Sequence, residues 1–455
     1  MQTNAKLEVL EQVAARSPDE ATNERIRLAP PDNSTVIFRI KVLFLYERLD
    51  TTHLLDALRA TLRFYPVLAG RMEKDATGRW EAICNNAGAR YVRARYSGSL
   101  LPGYRNLKAR EDILDDGFIP LPHNLYCDEE LNQVLEPDSP LLAVQVTEFA
   151  DGAVAVGFGI PHILVDGHSY FQFLRDWSAN AARMLADPSA KLPALKVCHD
   201  RSLLYATGEG PKLFHPEYDV QQKSTSSAPI DFSTFQMPPT SVKVFHFSNS
   251  DLAKLKAEAS KTCVDGEFVS TNDAVSALFL QVITKARAFE DAAPVSLGYA
   301  VDGRIRLDNI PDEYFGNATF FGCIDTTAGE LAASSLGDCA KLVRHTTNSM
   351  TKEYLLDALE WVESQQDASL VIPSFTSFFG NDFTVTNWVK FGIYDINFGQ
   401  SAPFYAGIPP VQADGFVVLS DAPDGDGIVG TLTMRKDHMD KISEDPLFRA
   451  FCQRH

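Results

Sequence analysis

The stretch AVAVGFGIPHILVDG, residues 153–167, constrains this chain more than any other. It begins as a strand, with Val154, Val156, Phe158 and Ile160 on one face and Ala153, Ala155, Gly157 and Gly159 on the other. It ends in Pro161-His162, with Asp166 four residues on and Gly167 next. Histidine is the side chain best suited to move a proton near neutral pH. A nearby aspartate can hold its ring or the local backbone, and glycine lets the chain turn sharply. Taken alone, H-x3-D-G is short, and a structural histidine satisfies it equally well.

The neighbouring sequence places this motif between a strand and a helix. Leu141–Phe149 reads as a strand, Asp151-Gly152 as a hairpin turn and Ala153–Ile160 as the returning strand. The run after Gly167 has helical spacing. Strand ends of this kind commonly carry chemistry. At 455 residues the chain is long for one core, so two domains are expected. Residues 206–240, rich in Ser, Thr, Pro and Gly, are the expected crossing between units 1–205 and 241–455.

Upstream, residues 28–35 read as a loop and Val36–Tyr46 as a strand. Asp50, Thr51 or Thr52 would cap a helix through Leu54–Leu62 that stops at Pro66, with His53 on its surface. In the second unit, Ser248 caps a helix, and Ser270 or Thr271 caps another with Val275, Leu278, Phe279, Val282 and Ile283 as its buried stripe. Ala293–Val301 is a strand ending in Asp302-Gly303-Arg304, and residues 331–366 form a long helical region. Thr384–Trp388 is a strand, Gly415–Ser420 and Gly427–Met434 a hairpin, and 436–451 a last helix.

A net charge of -18 argues against nucleic-acid and anionic-membrane partners, though a local basic cluster would still accept an anionic cofactor. The seven cysteines are scattered without C-x-x-C pairs, which suggests neither a zinc module nor a disulfide framework. With no apolar leader and no transmembrane run, the expected location is cytoplasmic.

The usual catalytic signatures are absent: no G-x-S-x-G, no Walker A, no G-x-G-x-x-G opening a helix and no H-E-x-x-H. His162, Asp166 and His168 lie without a second cluster of ligands, so no metal is expected. A lone histidine then fits best as general base on a substrate's own hydroxyl or amine. That chemistry needs an activated acyl donor and a group to stabilise the oxyanion.

Here the chain resembles a known family. PHILVDG (161–167) is similar to the H-x-x-x-D-G signature of the BAHD acyltransferases, and DINFG (395–399) to their D-F-G-W-G motif in degenerate form. LRATLRFYPVLAGRM (58–72), STNDAVSA (270–277), VDGRIR (301–306), YFGN (314–317) and Thr386-Asn387-Trp388 resemble further family segments. Within the family the similarity is to fungal members such as the trichothecene acetyltransferases. The resemblance implies an α/β fold of two chloramphenicol-acetyltransferase-like domains, each with a mixed sheet flanked by helices. It also implies a channel between them, with acyl-CoA entering one end and a small-molecule acceptor the other.

Roles follow from the resemblance. His162 is the general base. Asp166 faces away from substrate and pairs with an arginine of the other domain, with Arg304 the candidate. Gly167 permits the turn, and Thr386 donates to the oxyanion. Asp395 and Gly399 hold a loop near the cofactor mouth; Ile396, Asn397 and Phe398 depart from the family pattern between them. Ser270, Thr271 and Asp273 open the helix suited to the anionic cofactor, and Lys254, Lys256 and Lys261 could meet its phosphates, although lysines so spaced also make an ordinary solvated face. The expected activity is transfer of an acyl group, acetyl first, to an oxygen or nitrogen of a specialised metabolite by a monomer. The alternatives are a free-standing condensation domain, against which Pro161 stands in place of a first histidine, and a non-catalytic binding protein on the same fold.

Overall fold

The protein is described by a computed structural model over residues 7–35, 39–76, 79–100, 138–221, 238–375, 380–408 and 413–452. The first half runs β1 (Leu7–Ala15), β2 (Arg25–Arg27), α1 (Pro30–Asn33), β3 (Arg39–Tyr46), α2 (Leu54–Thr61), β4 (Arg71–Lys74), β5 (Trp80–Ile83), β6 (Ala89–Tyr96), β7 (Ala143–Phe149), β8 (Val154–Pro161) and α3 (Gly167–Ala186). There follow β9 (Tyr218–Val220), β10 (Thr240–Phe247), α4 (Asn249–Ala259), α5 (Thr271–Arg287), β11 (Pro294–Asp302), β12 (Thr319–Thr327), α6 (Ala328–Ala333), α7 (Leu336–Ser349) and α8 (Lys352–Ser364). The chain closes with β13 (Val371–Pro373), β14 (Phe383–Asn387), β15 (Tyr405–Gly407), β16 (Phe416–Asp421), β17 (Ile428–Arg435), α9 (Lys436–Glu444) and α10 (Pro446–Phe451).

Two six-stranded mixed sheets organise these elements, in the orders β1-β6-β7-β8-β3-β15 and β10-β17-β16-β14-β11-β12. In the first, β8 lies between β7 and β3, antiparallel to both. Its alternation separates large from small rather than inside from outside, because every residue of β8 is buried. Val154, Val156, Phe158 and Ile160 enter a core with Phe44 and Trp177, whose rings meet Phe158 edge-on at 5.6 and 5.5 Å. Each such fully buried side chain contributes about 1.5–3 kcal/mol. Ala153 and Ala155 join a smaller cluster with Leu43, Leu45, Tyr96 and Phe149. In the second sheet β14 runs parallel to both neighbours, β11 and β16. β15, from the C-terminal half, pairs with β3 and so extends the first sheet.

Several local expectations change. The 28–35 stretch contains the helical turn α1, with Pro30, Pro31 and Asp32 buried. Of the strand expected over Val36–Tyr46, residues 36–38 lie outside the described residues; β3 starts at Arg39. α2 begins after His53, and both ring nitrogens of His53 are buried, so it is not the surface residue expected. The long helical region is three helices, because Thr327, Ser335 and Thr351 each cap a new start. The last helix breaks at Asp445-Pro446, where Asp445 caps α10 and Pro446 takes its first position.

The expected crossing is not slack where it is described, up to Gln221. Glu360 on α8 accepts from the backbone N–H groups of Thr207, Gly208 and Gly210, and Asp357 from those of Lys212 and Leu213. His215 is enclosed between Glu217 at 2.9 Å and Asp357 at 3.0 Å, with the Tyr354 ring 4.6 Å away and its hydroxyl donating to Glu217. Burial works to lower the His215 pKa, but the two carboxylates overcome it and hold it above the ordinary value. A raised folded-state pKa adds stability fully below the unfolded value and loses it as pH rises through the folded one. The segment 205–221 is therefore expected to be cut faster by protease at about pH 9 than at about pH 6. Equal resistance at both would refute the latch. No helix among the described residues is long and apolar enough to cross a membrane.

Candidate active site

The chain leaves β8 through a single 3-10 turn, His162–Leu164. His162 sits half-buried there, with Nδ1 buried. Burial pushes its imidazole below the ordinary pKa; its own carbonyl, Asp166, Asn317 and Val165 oppose this and do not overcome it. A depressed pKa favours the neutral ring, the form a general base requires.

Asp166 caps α3, accepting from Ser169 N at 2.9 Å with its own backbone extended. Its other oxygen accepts from Ala318 N at 2.9 Å and from Arg304 Nη1 at 2.7 Å, while Arg304 Nη2 lies 3.2 Å from the first. The structure thus brings Asp166 and Arg304 together in a two-pronged buried pair at the end of β11, with side chains 4% and 1% exposed. Burial would raise the Asp166 pKa, but Arg304 and the two amides hold it below the ordinary value. The carboxylate has four hydrogen bonds spent on structure.

A second buried pair stands beside the first, and sequence reading missed it. Asp32 accepts from Arg201 Nη1 at 3.2 Å, from Asn317 N at 3.1 Å, from Asn317 Nδ2 at 2.9 Å and from Ala29 N at 2.9 Å. Asn317 Nδ2 also donates to the His162 carbonyl at 2.8 Å, and Arg201 Nη2 to that of Leu164 at 2.8 Å. The Tyr314 ring faces both guanidiniums, at 5.6 Å from Arg201 and 5.5 Å from Arg304. Residues 314–317 therefore form the hub around the His162 turn. Gly316 serves there by its lack of side chain, since a Cβ would fall 1.4 Å from Arg201 Nη1. The sequence reading noted YFGN only as a family-like segment, and nothing local in the sequence marked Asp32 or Arg201 as its partners.

Gly167 also differs from expectation in its reason. Its backbone is helical and not left-handed; the need is room, because a Cβ would lie 2.8 Å from the Phe391 ring. Phe171 of α3 packs on Trp388 at 5.4 Å and on Phe391 at 5.7 Å. The turn following Thr386 is thereby pressed against the start of α3. Thr386 itself is half-buried near the end of β14, and the next residue, Asn387, donates to Asn272 in the first turn of α5 at 2.8 Å.

The DINFG loop docks on the first sheet's helix. Ile396 and Phe398 are buried, Phe398 against Trp177 at 5.0 Å. Tyr46 donates to the Ile396 carbonyl at 2.6 Å, and Phe398 N to Ser178 Oγ at 2.8 Å. Gly399 has φ 78° and closes on Ala182, 2.7 Å from where a Cβ would lie. Asp395 is exposed.

On α5, Ser270 and Asp273 form a reciprocal cap, and Arg344 grips the Asp273 carboxylate, which is buried. Asp273 is thus turned inward and engaged by Arg344, while Ser270 and Thr271 stay half-exposed. Lys254 pairs with Asp251 and Lys261 with Glu258, both on an exposed helix face, and Lys256 is exposed. No cluster of three or more metal-ligating side chains occurs among the described residues.

A family model described as "Transferase family" matches residues 5–448. The chain is 30% identical over 392 residues to Hydroxycinnamoyltransferase 2 of Oryza sativa subsp. japonica, covering 84% of this chain and 83% of that protein. It is 29% identical over 396 residues to Anthranilate N-benzoyltransferase protein 2 of Dianthus caryophyllus, covering 83% and 81%. Among solved structures it is similar to F. graminearum TRI101 complexed with coenzyme A and deoxynivalenol, with TM-score 0.76, 19% identity and coverage of 94% and 99%. The two-sheet α/β architecture is shared with that structure.

Proposed function

Because the chain belongs to this transferase family, the BAHD acyltransferases, we infer that it moves an acyl group from acyl-CoA to a hydroxyl or amine of a small specialised metabolite. The observation that carries the reading is a histidine in the turn that ends β8, whose carbonyl is held by Asn317 and whose turn is braced by two buried ion pairs. His162 takes the proton from the acceptor O–H or N–H as that atom attacks the thioester carbonyl. The tetrahedral oxyanion accepts a hydrogen bond from Thr386, a donor of a kind worth about 3 kcal/mol of barrier. The intermediate collapses, the C–S bond breaks, and His162 returns the proton to the departing thiolate. Asp166 and Arg304 stay in the scaffold and carry no proton.

Ser270, Thr271 and the first turn of α5 face the anionic part of the cofactor, with Lys254 and Lys261 at its margin. Their proximity to the end of β14, through the Asn387–Asn272 bond, supports this placement. The donor range is proposed to include acetyl-CoA, as expected for the fungal type, and aromatic acyl-CoA, as the names of the plant relatives suggest. The enzyme is read as a cytoplasmic monomer.

Mass spectrometry of products from a mixed acyl-CoA pool and a metabolite extract tests the reading. An acylated metabolite and free CoA are expected; turnover only from a carrier-bound thioester would support the condensation alternative instead. The acid limb of kcat/KM is expected to have its midpoint below pH 6.5, because burial depresses the His162 pKa. A midpoint near or above 7 would argue that another group is the base.

A further inference from the structure

The base and the oxyanion donor of this scheme come from different sheets. His162 follows β8 of the first, and Thr386 lies near the end of β14 in the second. Both must serve one reacting carbonyl, so a contact between their two elements has to hold the spacing. A misplacement of about 1 Å can cost about 10²-fold in rate.

Such a contact stands between the start of α3 and the turn 388–392. Gly167 comes five residues after His162, and Phe391 five after Thr386. The Phe391 ring lies on the bare backbone of Gly167, where a Cβ would fall 2.8 Å from its edge. The ring also meets Phe171 at 5.7 Å and His168 at 6.2 Å. Further along α3, Arg175 donates to the Phe391 carbonyl at 2.5 Å. The ladder between β14 and β11 ends at Val385, one residue short of Thr386, whereas Thr386 keeps its pairing with Val418 of β16. Thr386 is thus held by β16 on one side and, beyond the strand, by the turn docked on α3. We propose that Phe391 is a positioning residue for the transfer: its ring, seated on Gly167, sets the distance between the His162 turn and the Thr386 hydroxyl. This rests on the reading of His162 as base and Thr386 as oxyanion donor.

The contact works as a stop against a pull. Arg175 draws the turn onto α3, and the ring halts it at a set distance. Phe171 and His168 beside the ring restrict its rotation out of the way. Gly167 fixes how close the ring comes. Its backbone is helical, so alanine suits the helix and meets opposition only from the ring.

The test is a pair of size changes across this contact, assayed with the donor and acceptor that the unmodified enzyme turns over. Gly167→Ala pushes the turn out, and Phe391→Leu lets it fall in. Each is expected to lower kcat by about 10-fold, with KM for acyl-CoA within about two-fold of the parent. The double variant Gly167→Ala/Phe391→Leu is expected to be faster than either single, because the shorter side chain makes room for the methyl group. The second readout repeats Gly167→Ala in a Thr386→Ala background. With the hydroxyl gone there is no spacing left to disturb, so kcat is expected to change there by less than about two-fold. A purely structural defect would cut the rate by the same factor in both backgrounds.

Parental kcat in folded Gly167→Ala, or the same fold-loss with and without the Thr386 hydroxyl, would overturn the proposal. Should Gly167→Ala not fold, Phe391→Leu is taken through the same cycle with Thr386→Ala and decides it on the same terms. Parental kcat in Thr386→Ala alone would instead overturn the oxyanion reading, and full turnover in His162→Ala the base reading, so the failures are distinguishable.

Discussion

His162→Ala is expected to lower kcat by about 10²–10⁴-fold while the protein stays folded. The chemistry has no other base in the scheme, and an acceptor hydroxyl is a poor nucleophile while it keeps its proton. The fold should survive because what fixes the turn is backbone. Asn317 holds the carbonyl of residue 162 at 2.8 Å and Arg201 that of Leu164, and neither contact needs the imidazole. The measurement is CoA release at saturating acyl-CoA, with circular dichroism and thermal melting on the same preparation. A folded variant within a few-fold of the parent would end the general-base mechanism.

Arg304→Ala is expected to be the most damaging change to stability, costing about 3–5 kcal/mol. It leaves Asp166 buried, 4% exposed at the side chain, without its paired guanidinium and with only the Ser169 and Ala318 amides still donating to it. The guanidinium also donates to Ser169 Oγ at 3.0 Å and to the Tyr314 and Gly316 carbonyls at 3.0 and 3.2 Å, so the hub at 314–317 loosens with it. Removing both charges, as in Asp166→Asn/Arg304→Leu, should cost less than Arg304→Ala alone, because no orphaned ion remains. Denaturant midpoints read the difference. A double variant no more stable than the single would refute the ion-pair account. The sign with pH follows from the depressed Asp166 pKa: the pair's stabilisation is present above the unfolded carboxylate value and is lost as pH falls through the folded one.

The local features were legible in the chain. β8, the turn at His162 and the α3 helix follow from alternation, Pro161 and the Asp166 cap, all of which act within four residues. The Ser248 and Ser270 caps were equally plain. The breaks at Ser335, Thr351 and Pro446 were legible too, since their capping residues stand in the sequence, but helical periodicity running across them masked the stops.

What tertiary structure alone decided is which distant groups meet. Asp32 binds Asn317, 285 residues away, and Arg201, 169 away. Gly167 answers to Phe391 and Gly316 to Arg201, so each is glycine for lack of space rather than for backbone freedom. β15 joins a sheet whose other strands all precede residue 162. The physical reason is range. Caps, turns and periodicity are settled by neighbours along the chain, whereas a buried charge is settled by whichever opposite charge the packed sheets deliver to it. Composition holds many candidates for that partner and no distances.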